Sequence, residues 1–290
     1  MISFKSFFND VSLRNYCTFN IGGKAKYLYI AHTTKQLLDV CSFCEKHNIK
    51  FKVIGCGANL LFSDLGYNGA IIVNKTAKVK IENKTITCDS GVNLTSLIFM
   101  LKDKNLGGFE TLASIPATVG GAVVNSLSAF NVNFSDFILS VECFEKHNPK
   151  KHVVLSNLNC CFDYRTSIFK TEEYVITKVV LSVEKRNKFI IEKNINLAIN
   201  KKLNSQPVGE LSAGSVFKRS SIIPSKTIDE LGLKGVCFGG AKISEKHAGF
   251  IVNTGNATSA NVIDLINYIK QEVFNKTKEK LETEIEFVDF

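Results

Sequence analysis

The sequence predicts an α+β fold of about two domains, based on its length, its composition and the order of its strand and helix patterns. The chain has 290 residues, and a domain averages roughly 150 residues. Hydrophobic residues make up 45% and charged residues 22% of the chain, which excludes a disordered or collagen-like protein. No apolar run reaches the ~18 residues that a membrane span requires. Strands and a helix alternate in the first third, strands follow in the middle, and helical patterns recur towards the end.

The first half of the chain contains three short apolar runs and two helical patterns. The apolar runs predict strands at 25–31, 51–54 and 70–73. Residues 34–47 carry apolar side chains at helical spacing and predict a helix. Residues 78–88 predict a hairpin that turns at Asn83-Lys84. Asn93 is expected to cap the next helix, because its amide can accept a bond from the first turn.

The second half contains three further strand patterns and two longer helical ones. We expect strands at 138–145, 153–155 and 174–184. A helix is predicted over 189–203, where Pro207 follows and prevents its continuation. The last predicted elements are a helix over 260–280 and an acidic strand over 282–289. No internal repeat marks a domain boundary, so the best seam is the change of pattern at 186–190.

The charge of the chain favours anionic small molecules over nucleic acid as partners. There are 36 basic and 27 acidic residues, which gives a net charge of +9. Only four of the basic residues are arginines, the side chain that phosphate and base-edge recognition favours. The lysines are spread along the chain and form no clustered basic face. We therefore expect no nucleic-acid partner.

The nine cysteines are not expected to form disulfides. Their number is odd, and the first ten residues lack the apolar stretch of a secretory signal, so we expect a reducing cytoplasm. Cys41 and Cys44 form a C-x-x-C pair, for which a redox pair and a zinc site are alternatives. They share one face of the predicted 34–47 helix with Leu37, which favours a buried helix face. The histidines lack ligand spacing, so no metal is expected.

Two glycine loops are candidates for binding an anionic cofactor. The loop Gly55-Cys-Gly-Ala-Asn-Leu-Leu61 follows a strand, but Leu60 occupies the third glycine position of a dinucleotide fingerprint, so a Rossmann site is not expected. The second loop is Leu112-Ala-Ser-Ile-Pro-Ala-Thr-Val-Gly-Gly-Ala122, in which Thr118 offers a hydroxyl donor. Exposed backbone N–H groups in such loops can meet a phosphate. Two loops within about seventy residues favour a diphosphate-containing cofactor.

Six motifs in order resemble the UDP-N-acetylenolpyruvoylglucosamine reductase family over residues 13–288. They are Asn20-Ile-Gly-Gly23, the two glycine loops, Phe162-Asp-Tyr-Arg-Thr-Ser167, Ser212-Ala-Gly-Ser-Val-Phe-Lys218 and Gly240-Ala-Lys-Ile-Ser-Glu-Lys-His247. The resemblance implies an FAD-binding fold of the vanillyl-alcohol oxidase (PCMH) type followed by an α/β substrate domain. It places an FAD-binding domain of two subdomains at 1–186 and a substrate-binding domain at 187–290. The length suits the shorter subtype of the family.

The resemblance also implies the reaction. NADPH would reduce FAD, and the flavin would reduce UDP-N-acetylglucosamine enolpyruvate to UDP-N-acetylmuramate, a precursor of cell-wall peptidoglycan. Three residues would be catalytic: Arg165 would stabilise the charge that develops on the substrate, Ser215 would donate a proton, and Glu284 would stabilise or relay it. Tyr164, Lys218 and His247 would line the substrate side. A cytoplasmic monomer without membrane insertion is expected.

Each of these assignments has a plainer alternative in the sequence. Arg165 alone could be a surface ion-pair partner, and Ser215 could be a turn serine. Glu284 lies on one predicted strand face with Glu282 and Glu286, as in a solvated acidic edge. His247 could equally begin a helix or form a turn.

The resemblance assigns the cofactor to both glycine loops, which here depart from the family pattern. The implied FAD-binding residues are Gly55, Cys56, Gly57, Ala58, Asn59, Leu60, Ile115, Pro116, Ala117, Thr118, Gly120 and Gly121. Ser114 and Ala117 replace usual glycines, and Asn125–Phe130 replaces a small, glycine-containing pattern. If those glycines have positive φ, each Cβ costs on the order of 1 kcal/mol, and FAD affinity would fall. Two other functions remain open: a flavin oxidase of the same fold, and a nucleotide-sugar binding protein that has lost its flavin.

Overall fold

The helical patterns of the sequence form six α-helices among residues 2–290, the part of the chain that this computed structural model describes. Side-chain caps begin several of them: Asn93 Oδ1 accepts from Ser96 N at 2.9 Å, as predicted, and Thr33 and Thr258 form capping boxes. The helices are α1 Thr34–Lys46, α2 Leu94–Asp103, α3 Val119–Val124, α4 Lys188–Ser205, α5 Pro224–Glu230 and α6 Ser259–Thr277. Short 3₁₀ turns occupy Phe4–Ser6, Leu13–Tyr16, Glu110–Ser114, Phe134–Phe137, Leu158–Cys160 and Ile168–Thr171.

The strands are short, and most of them join into three sheets. In chain order they are β1 Phe8–Ser12, β2 Lys24–Ala31, β3 Phe51–Ile54, β4 Leu60–Phe62, β5 Tyr67–Asn74, β6 Val79–Glu82, β7 Thr85–Asp89, β8 Leu106–Gly107, β9 Ser128–Ala129, β10 Val132–Asn133, β11 Ile138–Glu145, β12 Asn148–Ser156, β13 Tyr174–Ser182, β14 Glu184–Lys185, β15 Cys237–Phe238, β16 Ala241–Ile243, β17 Ile251–Asn253 and β18 Glu286–Val288.

The described residues divide into two units that do not follow the sequence in one cut. The first unit comprises the chain up to Phe8, Tyr27–Cys56 and Gly69–Lys201, and the second comprises Asn9–Lys26, Gly57–Asn68 and Lys202–Phe290. Two segments from the first quarter of the chain thus belong with the C-terminal part. The predicted functional division between 1–186 and 187–290 stays a prediction. The chain passes from the first unit into the C-terminal part of the second between Lys201 and Lys202, inside α4.

The first unit is built around a five-stranded antiparallel sheet of order β12-β11-β13-β7-β6. Its core includes the apolar face of α2, with Leu97 and Ile98 buried against Val179 and Leu181 of β13. A second sheet has the order β1-β2-β5-β3, and within the first unit β3 runs parallel to β5. Parallel neighbours require a crossover connection, and here the chain between them also contains the first glycine loop.

The second unit contains the three-stranded sheet β15-β16-β17 and the parallel pair β18-β4. In this pair Glu286 lies opposite Leu60, so the C-terminal strand adjoins the strand that leaves the first glycine loop. Helix α6 buries Val262, Leu265, Ile266, Ile269 and Val273, the face that its helical spacing predicts.

Two predicted elements at the C-terminus are wrong in extent. The last helix ends at Thr277 rather than near residue 280, because Lys278 adopts a left-handed conformation with φ of 62°. The strand predicted over 282–289 covers only Glu286–Val288. Glu284 therefore lies outside a regular strand, and the predicted alternation of Glu282, Glu284 and Glu286 on one strand face does not form.

The C-x-x-C pair forms part of a buried helix face, as predicted. Cys41 and Cys44 lie on α1 and pack with Leu37, Phe51 and Ile72. Both thiols are free, and burial raises the pKa of Cys44 to about 12. A redox-active thiol needs a lowered pKa, so these two side chains serve packing.

None of the helices among the described residues is both long enough and apolar enough to cross a membrane.

Candidate active site

The start of the first glycine loop, at Gly55 and Cys56, lies against the second glycine loop in the first unit. Gly55 directly follows β3, and a Cβ at this position would collide with Thr118 Oγ1 and lie 3.0 Å from its Cγ2. The Cys56 thiol donates to Pro116 O at 3.4 Å. Gly55, Cys56 and Ala117 stay partly exposed, so the backbone at the end of β3 is packed against the second loop and remains partly accessible. This arrangement suits a ligand that lies along the backbone.

The Thr118 hydroxyl also has a role within the chain. Thr118 is the N-cap of α3, and its Oγ1 accepts from Gly121 N at 3.2 Å. The preceding donors of this short helix are also used within the chain, because Val119 N donates to Val92 O at 2.8 Å and Gly120 N donates to Ser90 O at 2.7 Å. The first turn of α3 is thereby fixed to the segment that follows β7.

Gly57 of the first loop belongs to the second unit, where the backbone requires glycine. Its φ is 66°, and a Cβ would collide with Tyr16 O and lie 2.7 Å from Cys17 Cα. Thr18 N donates to Gly57 O at 3.2 Å. The segment around Tyr16–Thr18 therefore holds this loop by its backbone, and no other residue fits at position 57 without displacing it.

The family departures do not impose the strain that the sequence suggested at positions 114 and 117. Neither Ser114 nor Ala117 has a positive φ among the described residues, so a Cβ there carries no left-handed penalty. Positive values occur instead at Ser126 (42°) and Phe130 (53°), within the replaced stretch that follows α3. Any backbone cost of these departures lies after α3 and not in the second glycine loop itself.

Arg165 occupies the tip of a tight turn in the first unit. Asp163 and Thr166 exchange two backbone hydrogen bonds of 3.1 Å, and Tyr164 N donates to Asp163 Oδ1 at 2.6 Å. The backbone of Arg165 is left-handed, with φ of 56°. An L-residue adopts this conformation at a cost, and such residues cluster at functional sites. The turn presents Tyr164 and Arg165 together at its end.

The guanidinium of Arg165 is aimed by its neighbours. Its Nη1 donates to Ser128 Oγ at 3.3 Å, and its centre lies 5.6 Å from the ring of Tyr164. The segment after the turn is also held in place, because the buried Ser167, which precedes the 3₁₀ turn Ile168–Thr171, donates to Val124 O at 2.8 Å. The side chain is half-buried, so its neighbours fix its position while a ligand can still contact it. A surface ion-pair arginine needs none of these features.

Ser215 and Glu284 lie on neighbouring backbone segments in the second unit. Glu284 N donates to Val216 O at 2.7 Å, and Lys218 N donates to Glu282 O at 2.9 Å. These bonds join residues 216–218 to residues 282–284 in antiparallel fashion, so Glu284 is opposite the residue next to Ser215. Lys218 Nζ also lies 3.3 Å from a carboxylate oxygen of Glu282. This ion pair is exposed and contributes little to stability.

His247 supports the other side of the Ser215 segment. Ser215 pairs with Phe250, and Val216 N donates to Gly249 O at 2.9 Å. Gly249 N donates to His247 Nδ1 at 3.1 Å, which requires an unprotonated Nδ1. Burial lowers the pKa of His247 below its usual range, which favours that form. His247 thus lies in a turn, one of the two arrangements open from the sequence.

Asn59 links the first glycine loop to the segment of Glu284. Its Nδ2 donates to Glu284 O at 3.1 Å, and its carbonyl accepts from Glu286 N at 2.9 Å. Leu60 follows as the first residue of β4. The family resemblance implies only a cofactor role for Asn59, because no local pattern in the sequence shows that β18 pairs beside it. Among the predicted catalytic residues, Ser215 and Glu284 belong to the second unit and Arg165 to the first.

Comparisons with known proteins cover almost the whole chain. The model of the UDP-N-acetylenolpyruvoylglucosamine reductase C-terminal domain matches residues 206–288, and that of an FAD binding domain matches residues 25–147. A UDP-N-acetylenolpyruvoylglucosamine reductase of Caldanaerobacter subterraneus subsp. tengcongensis is 34% identical over 95% of this chain and 91% of its own. One of Thermotoga petrophila is 36% identical, over 92% and 93%.

The chain belongs to the UDP-N-acetylenolpyruvoylglucosamine reductase family. A solved structure of the reductase from Thermus caldophilus matches with a TM-score of 0.82 and 29% identity, over 96% of this chain and 98% of that one. The predicted α+β fold of the FAD-binding class is confirmed. As a reductase of this family, the chain is an FAD-dependent oxidoreductase.

Proposed function

We propose that Arg165, Ser215 and Glu284 carry the reduction of UDP-N-acetylglucosamine enolpyruvate to UDP-N-acetylmuramate, with NADPH as the reductant. The family and its FAD-binding domain support the reaction. The observation that carries the residue assignment is the backbone pairing of the Ser215 and Glu284 segments, with Glu284 N bonded to Val216 O at 2.7 Å. This pairing places a hydroxyl and a carboxyl on adjacent segments of one unit.

The glycine loops supply residues that fit FAD. The backbone at Gly55 and Cys56 is packed on Thr118 and Pro116 and is partly exposed, and loop backbone of this kind can donate N–H groups to a diphosphate. We assign the cofactor to Gly55–Leu60 and to Ile115, Pro116, Ala117, Thr118, Gly120 and Gly121. Bound by these residues, FAD would supply hydride-transfer chemistry between NADPH and C3 of the enolpyruvyl group.

Ser215 supplies the proton that completes the reduction. Addition at C3 leaves negative charge on C2 and its carboxylate, as in an enolate, and C2 then takes the proton of the Ser215 hydroxyl. A hydroxyl is a weak acid, but a carbanion-like centre is a strong base, so a positioned O–H suffices. Glu284, on the segment next to Ser215, stabilises or relays this proton.

Arg165 stabilises the charge that develops on the substrate. Its guanidinium stays protonated at every working pH and can bind a carboxylate with two parallel hydrogen bonds. The left-handed turn and the bond to Ser128 fix its direction before substrate arrives, which is the condition for electrostatic stabilisation of a transition state. Tyr164, Lys218 and His247 are assigned to the substrate side.

The proposal also covers the cell compartment, the oligomeric state and the partners of the protein. We assign the protein to the cytoplasm, where precursors of peptidoglycan are made, and expect it to act as a monomer. Neither nucleic acid nor a membrane is among its proposed partners, and no metal is assigned.

Steady-state oxidation of NADPH in the presence of UDP-N-acetylglucosamine enolpyruvate tests the assignment. Ser215→Ala is expected to lower kcat by about 10²- to 10⁴-fold, the usual contribution of a proton-transfer group, while the flavin spectrum stays the same. Ser220→Ala, which alters an exposed serine of the same unit, is the matched control. Full turnover in Ser215→Ala would overturn the proton-donor assignment, and NADPH oxidation that needs only dioxygen would favour an oxidase.

A further inference from the structure

The segment that carries Ser215 is held at both ends and contains a glycine between them. At its start, Asn253 N donates to Leu211 O at 2.8 Å, and at its end Val216 N donates to Gly249 O at 2.9 Å. Between these anchors Gly214 has φ of 82°, and no atom lies within 4 Å of a Cβ built there. Glycine at such an unpacked position places little constraint of its own on the backbone. The direction of the Ser215 hydroxyl is therefore set on one side by the pairing of Ser215 with Phe250 and on the other by what fixes the peptide before Gly214.

The bond that fixes this peptide comes from a residue near the start of the chain. Thr18 Oγ1 donates to Ser212 O at 2.7 Å, across 194 residues of sequence. Ser212 lies three residues before Ser215, between the Leu211 anchor and Gly214. Both partners belong to the second unit. The Thr18 hydroxyl thus holds the segment on the side of Gly214 away from the Gly249 anchor.

The peptide around Thr18 is itself fixed. Asn253 Nδ2 donates to Phe19 O at 3.1 Å and to Asn20 O at 3.3 Å, and Arg14 Nε donates to Asn20 O at 3.1 Å. The ring of Phe19 is fully buried. These bonds fix the position from which the Thr18 hydroxyl donates to Ser212 O.

We propose that Thr18 is a positioning residue for Ser215, because its hydroxyl bond to Ser212 O sets the direction of the catalytic hydroxyl. This inference rests on the proposed role of Ser215 as proton donor. Thr18 also bonds the first glycine loop, but through its backbone N–H to Gly57 O. Replacement of the side chain can therefore remove the Ser212 bond and keep the Gly57 bond.

Thr18→Val tests the proposal, since valine has nearly the shape of threonine and lacks the donor. A misdirected proton donor is expected to lower kcat about 10- to 100-fold, with little change in KM for NADPH or in the flavin spectrum. Proton transfer then becomes slower than the other steps, so the solvent deuterium isotope effect on kcat is expected to rise. Thr18→Ser retains the hydroxyl and is expected to keep at least half of the wild-type kcat.

Two further variants make the result decisive. Thr277→Val removes a hydroxyl bond of similar length, 2.8 Å to Val273 O within α6, and is the matched control with unchanged kcat. Thr18→Ala is a second variant without the donor, in case valine prevents folding, which thermal melting detects. In a Ser215→Ala background, Thr18→Val is expected to have no additional effect on kcat, because both changes remove one function.

The outcomes separate this inference from the proposed function. If Ser215→Ala keeps full turnover, the proton-donor assignment is wrong and the positioning role with it. If Ser215→Ala is impaired while the folded Thr18→Val and Thr18→Ala proteins turn over within twofold of wild type, only the positioning role is overturned. Additive effects of Thr18→Val and Ser215→Ala would also overturn it.

Discussion

At the scale of single residues, Arg165 adopts an unfavourable backbone conformation at the proposed site. A left-handed φ of 56° in an L-residue costs roughly 1–2 kcal/mol, and a glycine there would avoid the cost. The arginine is retained in a turn closed by Asp163 and Thr166, beside the ring of Tyr164. The structure thus supports the functional interpretation of this residue over a surface ion pair.

Arg165→Lys is expected to lower kcat/KM for the UDP-sugar by about 10-fold or more. Lysine keeps the charge but loses the planar fork that binds a carboxylate with two bonds. The same steady-state assay measures the effect, with Arg219→Lys, an exposed arginine of the second unit, as control. If Arg165→Lys keeps the wild-type kcat/KM, two-bond recognition of the substrate carboxylate by the guanidinium has no role.

The lowered pKa of His247 predicts how the stability of the fold depends on pH. Burial lowers its pKa in the folded protein, so the unfolded chain binds a proton at a higher pH than the folded one. Its contribution to stability is therefore complete above the unfolded value of about 6.5 and is lost as the pH falls from there through the folded pKa. His247→Asn, which keeps an acceptor but does not titrate, is expected to flatten the unfolding free energy over this interval. Urea unfolding at several pH values measures it, and an unchanged slope would contradict the role.

At the scale of elements, a buried carboxylate ties the second glycine loop to α4. Glu110 begins the 3₁₀ turn that leads into this loop, and its side chain is only 2% exposed. It accepts from Gly108 N at 2.7 Å, from Asn194 Nδ2 at 2.9 Å and from Arg186 Nη1 at 3.0 Å. Three donors satisfy the carboxylate, as a buried charge requires. The start of the loop is thereby fixed to a helix far away in the sequence.

Glu110→Gln is expected to destabilise the protein by about 1 to 3 kcal/mol at neutral pH, because an amide cannot accept all three bonds and Arg186 loses its buried ion-pair partner. Burial alone would raise the pKa of Glu110, but the bonds from Asn194 and Gly108 and the charge of Arg186 outweigh it and lower the pKa. The carboxylate therefore stabilises the fold above its unfolded pKa, and this contribution disappears as the pH falls through the folded value.

Denaturant unfolding of wild type and Glu110→Gln from pH 7 to pH 3 measures both effects. The difference between the two proteins is expected to narrow on acidification. Glu184→Gln, which removes the exposed second partner of Arg186, is the control with a small effect. A difference that stays constant with pH would contradict the assigned pKa.

At the scale of the whole molecule, local patterns predicted the elements better than their partners. Strand β3 has the predicted bounds Phe51–Ile54, and Asn93 caps α2 as expected, because short apolar runs and caps depend on neighbours in sequence. The pairing of β18 with β4 and the bond between Thr18 and Ser212 join distant segments. Hydrophobic periodicity contains no information about such partners.

The same limit applies to the candidate site. The resemblance selected Ser215 and Glu284, and the structure places their segments side by side through backbone bonds that no spacing in the sequence indicates. The sequence also could not show which backbone positions are left-handed. The conditional cost was therefore predicted for Ser114, Ala117 and the Asn125–Phe130 stretch alike, whereas among these positions only Ser126 and Phe130 adopt that conformation.

The central claim, that this chain reduces a UDP-sugar enolpyruvate through FAD, is tested most directly in a single turnover without oxygen. The purified protein is reconstituted with FAD, treated with one equivalent of NADPH until the visible flavin absorption is bleached, and mixed with UDP-N-acetylglucosamine enolpyruvate. We expect the absorption to return and one equivalent of UDP-N-acetylmuramate to form. Absorption that stays bleached with the UDP-sugar and returns only when dioxygen is admitted would contradict it.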